Sequence, residues 1–309
     1  MREKFSMVSS DGHTVLHGYV WTPEEGEVKA VVQLVHGMVE YIERYEELAN
    51  YLTQNGYAVV GYDHLGHGSS VEREEDYGYF AKKDGHNLLV KDIRRLYTHM
   101  KKVYQTVPYF ILGHSMGSFL LRRYFMIYGG EGVQGAIIMG TGKQPYFVPL
   151  FGIGVAKVIK AIKGERYRST FIDQMAFGSY NRGIKEKRTD KDWLTRDEEQ
   201  VDRYVAHQWC NFIFTVSAYE DLFHTLCSIE KRKNKKRIPK EVPVLLIAGK
   251  EDPVGNCGKG VKKLYHEYIS LGVKDVALKL YEEDRHEILN ELDRETVFQD
   301  ILSWIEKRM

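Results

Sequence analysis

Apolar residues along the chain fall into two alternating kinds of run. Short stretches without polar alternation lie at residues 31–35, 58–60, 110–112, 136–139 and 244–247. That pattern describes strands covered on both faces. Residues 276–281 read as a further strand, and residues 15–20 as an antiparallel strand beside a turn at Ser10-Asp11-Gly12. Between these runs the spacing is helical. Tyr45, Leu48, Ala49 and Leu52 share one face, with Gly56 as a stop. Leu89, Ile93, Leu96, Met100 and Val103 form a second stripe. Phe119, Leu120, Tyr124 and Ile127 form a third, ending at Gly129-Gly130, and Val297, Ile301, Trp304 and Ile305 form the last. Strands alternating with helices predict an α/β protein, its mostly parallel sheet covered by helices on both faces.

The alternation stops between residues 143 and 240. This region holds aromatics and charged helical stretches but no strand run, and the strand pattern resumes at Val242. The expected organisation is a core of residues 1–142 and 241–309 with a helical insertion, 143–240, over the sheet. Within the insertion, residues 148–162 are apolar apart from Lys157 and Lys160. They fit a helix packed on the core or a lid helix that touches lipid. The basic run 231–240 reads as a solvated loop, with an anionic membrane surface as the alternative partner.

Composition narrows the function classes. The 309 residues are 43% hydrophobic and 28% charged with a net charge of +1, so nothing points to nucleic acid. Three scattered cysteines supply neither a disulfide framework nor a zinc motif, and a reducing, cytoplasmic setting is the expectation. Residues 1–12 are polar and lack the apolar core of a signal peptide. No run of 18 apolar residues would span a membrane.

The chemistry concentrates at Gly113-His114-Ser115-Met116-Gly117, between the strand at 110–112 and the helical pattern that follows. This is a nucleophile elbow, G-x-S-x-G, in its strand–turn–helix context. Glycines suit positions 113 and 117 because a side chain there would meet neighbouring backbone. A serine hydroxyl needs a base. His286 follows the last strand and would reach Ser115 from the edge of the sheet. The acid belongs in the loop after the preceding strand, where Glu251 and Asp252 are both candidates. Asp252 is preferred because Pro253 and Gly255 make a rigid turn beyond it; Asp284 is the fallback. The backbone N–H groups of Met38, after the strand at 31–35, and of Met116 are the expected oxyanion donors. Asp63 to Ser69, with His64 and His67, reads as a structural turn rather than a metal site.

With these residues in place, the chain resembles the α/β-hydrolases grouped as lysophospholipases and monoacylglycerol lipases, also labelled serine aminopeptidase S33-like. His36-Gly37-Met38-Val39-Glu40 through Arg44-Tyr45 resembles that family's HGxGE…RY segment, and Asp63 to Ser69 its DxxGHGxS segment. Gly113 to Gly117 is its GHSMG, residues 252–261 resemble its DPVGNxGKGV stretch, and residues 285–291 its RHEILNE. The resemblance implies an α/β-hydrolase fold with a helical cap at 143–240. It also implies a serine hydrolase that cleaves esters of single-acyl lipids through an acyl-enzyme, without metal or organic cofactor. Ser115, Asp252 and His286 take the triad roles, Met38 and Met116 the oxyanion roles, and Glu40 and Arg44 help to hold the polar head of the substrate. Two departures stand out: Val39 replaces the second glycine of HGxGE, and His207-Gln208 replaces an Asp-Pro of the cap. The same fold also serves thioesterases and small-residue aminopeptidases; the latter need an acidic grip such as Glu165 or Asp173.

Overall fold

The computed structural model describes residues 1–309. Eight strands form one sheet: β1 (Arg2–Val8), β2 (Val15–Trp21), β3 (Val31–Val35), β4 (Ala58–Tyr62), β5 (Tyr109–His114), β6 (Gly135–Met139), β7 (Val244–Gly249) and β8 (Val276–Tyr281). Their spatial order is β1-β2-β4-β3-β5-β6-β7-β8, with β1, β2 and β4 joined antiparallel and every other pair parallel. Ten helices accompany them: α1 (Glu46–Gln54), α2 (Gly85–Val103), α3 (Met116–Tyr128), α4 (Phe147–Lys163), α5 (Thr170–Phe177), α6 (Glu198–Ala206), α7 (Val216–Glu230), α8 (Arg232–Lys235), α9 (Lys259–Ser270) and α10 (Arg294–Glu306).

The apolar runs fall on the central strands, and burial of both faces explains why they lack polar alternation, Gln33 being the one polar residue among them. On β5, Tyr109 and Ile111 pack on one face with α2, α3 and α7, while Phe110 and Leu112 pack on the other with α1 and α10. Helices α4 to α8 all lie between β6 and β7 in the chain. Their only strand-like pairing is a single bridge between Arg168 and Thr215.

Three local features differ from the sequence reading. The polar opening segment is strand β1, an edge strand whose residues are mostly exposed, with Phe5 and Met7 alternating inward. Helix α9 buries Val261, Leu264 and Tyr268 at helical spacing inside a polar surround. The basic run is not simply a solvated loop. It contains α8, and Lys235 is drawn down onto Glu230 at 2.5 Å and Glu267 at 2.8 Å.

Helix α4 has two unlike faces. Pro149, Gly152, Ile153 and Ala156 are buried, and a methyl group at Gly152 would lie 2.8 Å from the Phe223 ring of α7. On the other side Phe147, Phe151, Val158 and Ile162 are 61–73% exposed and fall in one stripe. The packed reading of residues 148–162 describes one face of this helix, and the other face is open. No helix is long and apolar enough to cross a membrane.

Candidate active site

Ser115 sits between β5 and α3 with φ +51°, ψ −120°, a conformation that L-residues rarely adopt. The flanking glycines permit it. A methyl group at Gly113 would lie 2.5 Å from the Gly117 carbonyl oxygen, and one at Gly117 would lie 2.0 Å from that of Val35. Close packing of β3, β5 and α3 thus dictates both glycines. The hydroxyl of Ser118 caps the turn by donating to the Ser115 carbonyl at 2.6 Å.

Among the candidate acids, the structure brings Asp252 to His286. His286 Nδ1 and Asp252 Oδ1 are 3.0 Å apart, and both residues are buried. The same oxygen accepts the Val254 N–H at 2.8 Å. Glu251 is exposed, and Asp284 instead faces Arg196 at 2.7 Å. Ser115 and His286 line one cavity of about 1510 Å³. The Ser115 hydroxyl carries no hydrogen bond to the ring, a looseness usual where no substrate is bound.

The loop after β3 folds back beside Ser115. Gly37 leaves no room for a side chain: a methyl group there would lie 3.0 Å from Ser115 Cβ. The Gly37 N–H donates to the Glu40 carboxylate, closing the turn around Met38. The Met38 N–H has no acceptor within the protein. Met116 opens α3, where the first N–H groups lack helical partners.

Glu40 and Arg44 are occupied by the protein. The Glu40 carboxylate also takes Tyr45 Oη at 2.9 Å, Arg44 Nη1 at 3.1 Å and His114 Nδ1 at 3.1 Å. Burial opposes its charge, but the His114 contact and the Arg44 cation outweigh burial and hold its pKa low. Arg44 forks onto Glu287, beside His286, at 2.7 and 2.5 Å. Glu40 reaches the cavity wall and Arg44 does not. Arg44 thereby forms an ion pair that ties the β3 loop to the His286 loop. Such bidentate pairing is geometrically specific.

The insertion grips the same His286 loop. The Glu287 N–H donates to the Leu194 carbonyl at 2.6 Å, and the Trp193 ring lies 5.0 Å from the His286 ring. Arg196 meets Glu291 at 3.0 Å, Asp284 at 2.7 Å and Asp293 at 3.0 Å. Those three carboxylates are close enough to share a cation, and the guanidinium fills that place. The contacts of Arg196 and His114 were not legible in the sequence, because their partners are distant in the chain. Of the two acids considered for gripping an amine, Asp173 lines the cavity but accepts the Tyr219 hydroxyl at 2.5 Å. Glu165 is bound to Tyr79 at 3.1 Å, outside the lining.

Burial, and then Glu291 and Asp293, push the Asp284 carboxyl up from its ordinary 3.8 to about 7. A carboxyl whose pKa rises on folding favours the folded state while protonated. Its contribution is complete below the unfolded pKa and is lost as pH climbs towards 7. The Asp284 contribution to melting temperature is thus expected to fall between about pH 4 and pH 7, and Asp284→Asn should flatten that fall. Parallel melting curves for the two proteins across that range would refute this account.

Comparison with known proteins adds the family. The model described as serine aminopeptidase, S33 (Hydrolase_4) matches residues 26–293. The chain belongs to the S33 family. This S33 protein is 26% identical over 307 residues to a monoacylglycerol lipase of Mycolicibacterium smegmatis, covering 98% of this chain and 97% of that one. It is 28% identical over 308 residues to the monoglyceride lipase of Homo sapiens, covering 98% and 90%. Among solved structures it resembles a thermostable carboxyl esterase from Bacillus coagulans in complex with glycerol. The TM-score is 0.92 at 26% identity, covering 99% of this chain and 98% of that one. The α/β-hydrolase fold expected of the S33 chain is the fold it has.

Proposed function

We propose that the protein is a serine hydrolase that cleaves carboxylic esters of single-acyl lipids, monoacylglycerol or lysophospholipid, through an acyl-enzyme. The observation that carries this reading is the cavity. Ser115 and the Asp252-paired His286 stand at its wall, and aromatic and aliphatic side chains such as Phe119, Phe177, Leu222 and Phe223 line it. Its volume, about 1510 Å³, leaves room for a long acyl chain. The names of the relatives support the same substrate class.

In this reading Ser115 Oγ attacks the ester carbonyl while His286 takes its proton. Asp252 holds the ring in the tautomer that leaves Nε2 free to do so. The oxyanion is met by the Met38 and Met116 N–H groups. Collapse expels the alcohol, which receives the proton from His286. Water then attacks the acyl-Ser115 ester by the same route and releases the fatty acid. Each step is proton transfer and addition–elimination, and calls on no cofactor. Residues 143–240 act as the cap over this site.

Each methylene that enters the cavity should contribute about 0.8 kcal/mol, close to fourfold in kcat/KM. A p-nitrophenyl ester series is therefore expected to climb steeply from acetate to octanoate, with monoacylglycerols and lysophospholipids cleaved and aminoacyl anilides not. A best rate on acetate, or on an anilide, would replace the lipid reading by a general esterase or a peptidase.

The exposed stripe of α4 is proposed as the face that meets a lipid surface. It is continuous with the cavity through Phe147 and Phe151, and exposed apolar patches of this kind mark such contacts. Val158→Glu with Ile162→Glu is expected to reduce sedimentation with phosphatidylglycerol vesicles and leave p-nitrophenyl butyrate turnover unchanged. Undiminished sedimentation would discard the contact. The three cysteines are unpaired, which supports a reducing, cytoplasmic setting.

A further inference from the structure

Val39 holds the one unusual backbone angle in the loop that carries Met38. Its φ is +56°, in the left-handed region that β-branched residues avoid. Such a conformation persists only where its surroundings over-determine it. Here both backbone polar groups of Val39 are taken by buried side chains from distant parts of the chain. The Val39 N–H donates to His67 Nε2 at 3.2 Å. The Val39 carbonyl accepts the Tyr204 hydroxyl at 2.9 Å.

Each partner is itself set for its task. His67 Nδ1 lies 3.0 Å from the Leu65 carbonyl, so the ring proton belongs on Nδ1 and Nε2 is left as an acceptor. Burial among Phe80, Phe212 and Phe214 keeps the ring neutral, with its pKa lowered to about 3. Tyr204 belongs to α6, and the Arg44 guanidinium lies 4.9 Å from its ring centroid. Burial raises the pKa of its phenol well above the ordinary range, so it remains a donor.

We infer that Tyr204 and His67 are positioning residues that hold the Met38 N–H in register for the oxyanion by clamping Val39 in its left-handed conformation. The inference rests on the oxyanion role proposed for Met38. Without the clamp, Val39 relaxes to negative φ and the adjoining peptide, with its N–H, swings away from Ser115. The cap thereby contributes to the chemistry as well as to the walls of the cavity: α6 sets the oxyanion loop, and Trp193 and Leu194 sit on the His286 loop.

The test is a double-mutant cycle on p-nitrophenyl butyrate. Tyr204→Phe keeps the ring and removes only the hydroxyl. It is expected to lower kcat about tenfold at near-constant KM, less than the roughly 10²- to 10³-fold loss of an oxyanion donor outright. Affinity for a trifluoromethyl ketone, which forms a tetrahedral adduct on serine, should fall in parallel with kcat. His67→Phe, which suits the aromatic surround, should act in the same direction. In the Val39→Gly background, where positive φ carries no steric cost, Tyr204→Phe should lose most of its effect. Wild-type kcat and ketone affinity in Tyr204→Phe would overturn the clamp. So would equal losses in both backgrounds, which would show Tyr204 acting independently of Val39. A loss of thermal stability alone would also count against it. If the wild-type protein fails to turn over the ester or to bind the ketone, the hydrolase reading falls first.

Discussion

Ser115→Ala is expected to lower kcat for ester hydrolysis by about 10⁴- to 10⁶-fold, since members of a catalytic triad act as a unit. The fold should survive. The Ser115 hydroxyl has no protein partner, so its removal leaves no buried group unpaired. The backbone at φ +51° is held by the Gly113 and Gly117 contacts, which alanine does not touch. Purified variant should melt near the wild-type temperature, fail to react with a fluorophosphonate probe and show no burst of p-nitrophenol. A folded Ser115→Ala protein that still turns over ester at a substantial rate would end the acyl-enzyme mechanism.

Asp252→Asn should cost about 10⁴-fold in kcat. Asparagine keeps the shape, but the Oδ1 position that accepts the Val254 N–H at 2.8 Å is also the one that faces His286, so an amide NH₂ placed there gives up the Val254 bond. Turned that way, the NH₂ faces His286 Nδ1, which lies 3.0 Å from Oδ1. That contact selects the tautomer whose Nε2 carries the proton and cannot receive another from Ser115. Asp284→Asn should cost far less, because Asp284 faces Arg196. If the two variants exchange their effects, the acid is Asp284 and the Asp252 contact is only structural.

The α/β architecture was legible because it depends on short-range rules. A strand covered on both faces is apolar at nearly every position, and β3, β4, β5, β6 and β7 are buried throughout, with Gln33 of β3 paired to the Tyr109 hydroxyl. Strand β1 escaped that rule because it lies at the sheet edge with most residues in water, and its polar composition resembles an unstructured end. Helix α9 was overlooked for a related reason. Its buried stripe is narrow, and lysines, a histidine and a glutamate surround it. The lysine run at 231–240 showed its charge but not its partners. Glu267, which receives Lys235, is 32 residues away.

The elbow at Ser115 was equally legible, because its glycines, strand and helix are contiguous and the steric demand is met within five residues. The order of acid and base along the chain left Glu251, Asp252 and Asp284 as candidates. Only the folded geometry set Asp252 against His286. Glu40 and Arg44 illustrate the opposite outcome. Their spacing is visible, but the partner that occupies Arg44 is Glu287, 243 residues further on. Local pattern carries no information about a pair so far apart.

What the sequence by itself determined is therefore the buried strands β3 to β7, the helices α1, α2, α3 and α10, the elbow and the residue types of a triad. Each follows from periodicity, turn sterics or order along one chain. Tertiary structure decided how the segment between β6 and β7 meets the loops around Ser115 and His286. Local preference alone would place Val39, a β-branched residue, at negative φ. It sits at +56° because His67, 28 residues on, and Tyr204, 165 residues on, take its two backbone groups once the core and the cap are packed together. A strained loop of this kind exists only where contacts from the whole fold outweigh the local preference, so the sequence marked Val39 as a departure from glycine but not the contacts that hold it.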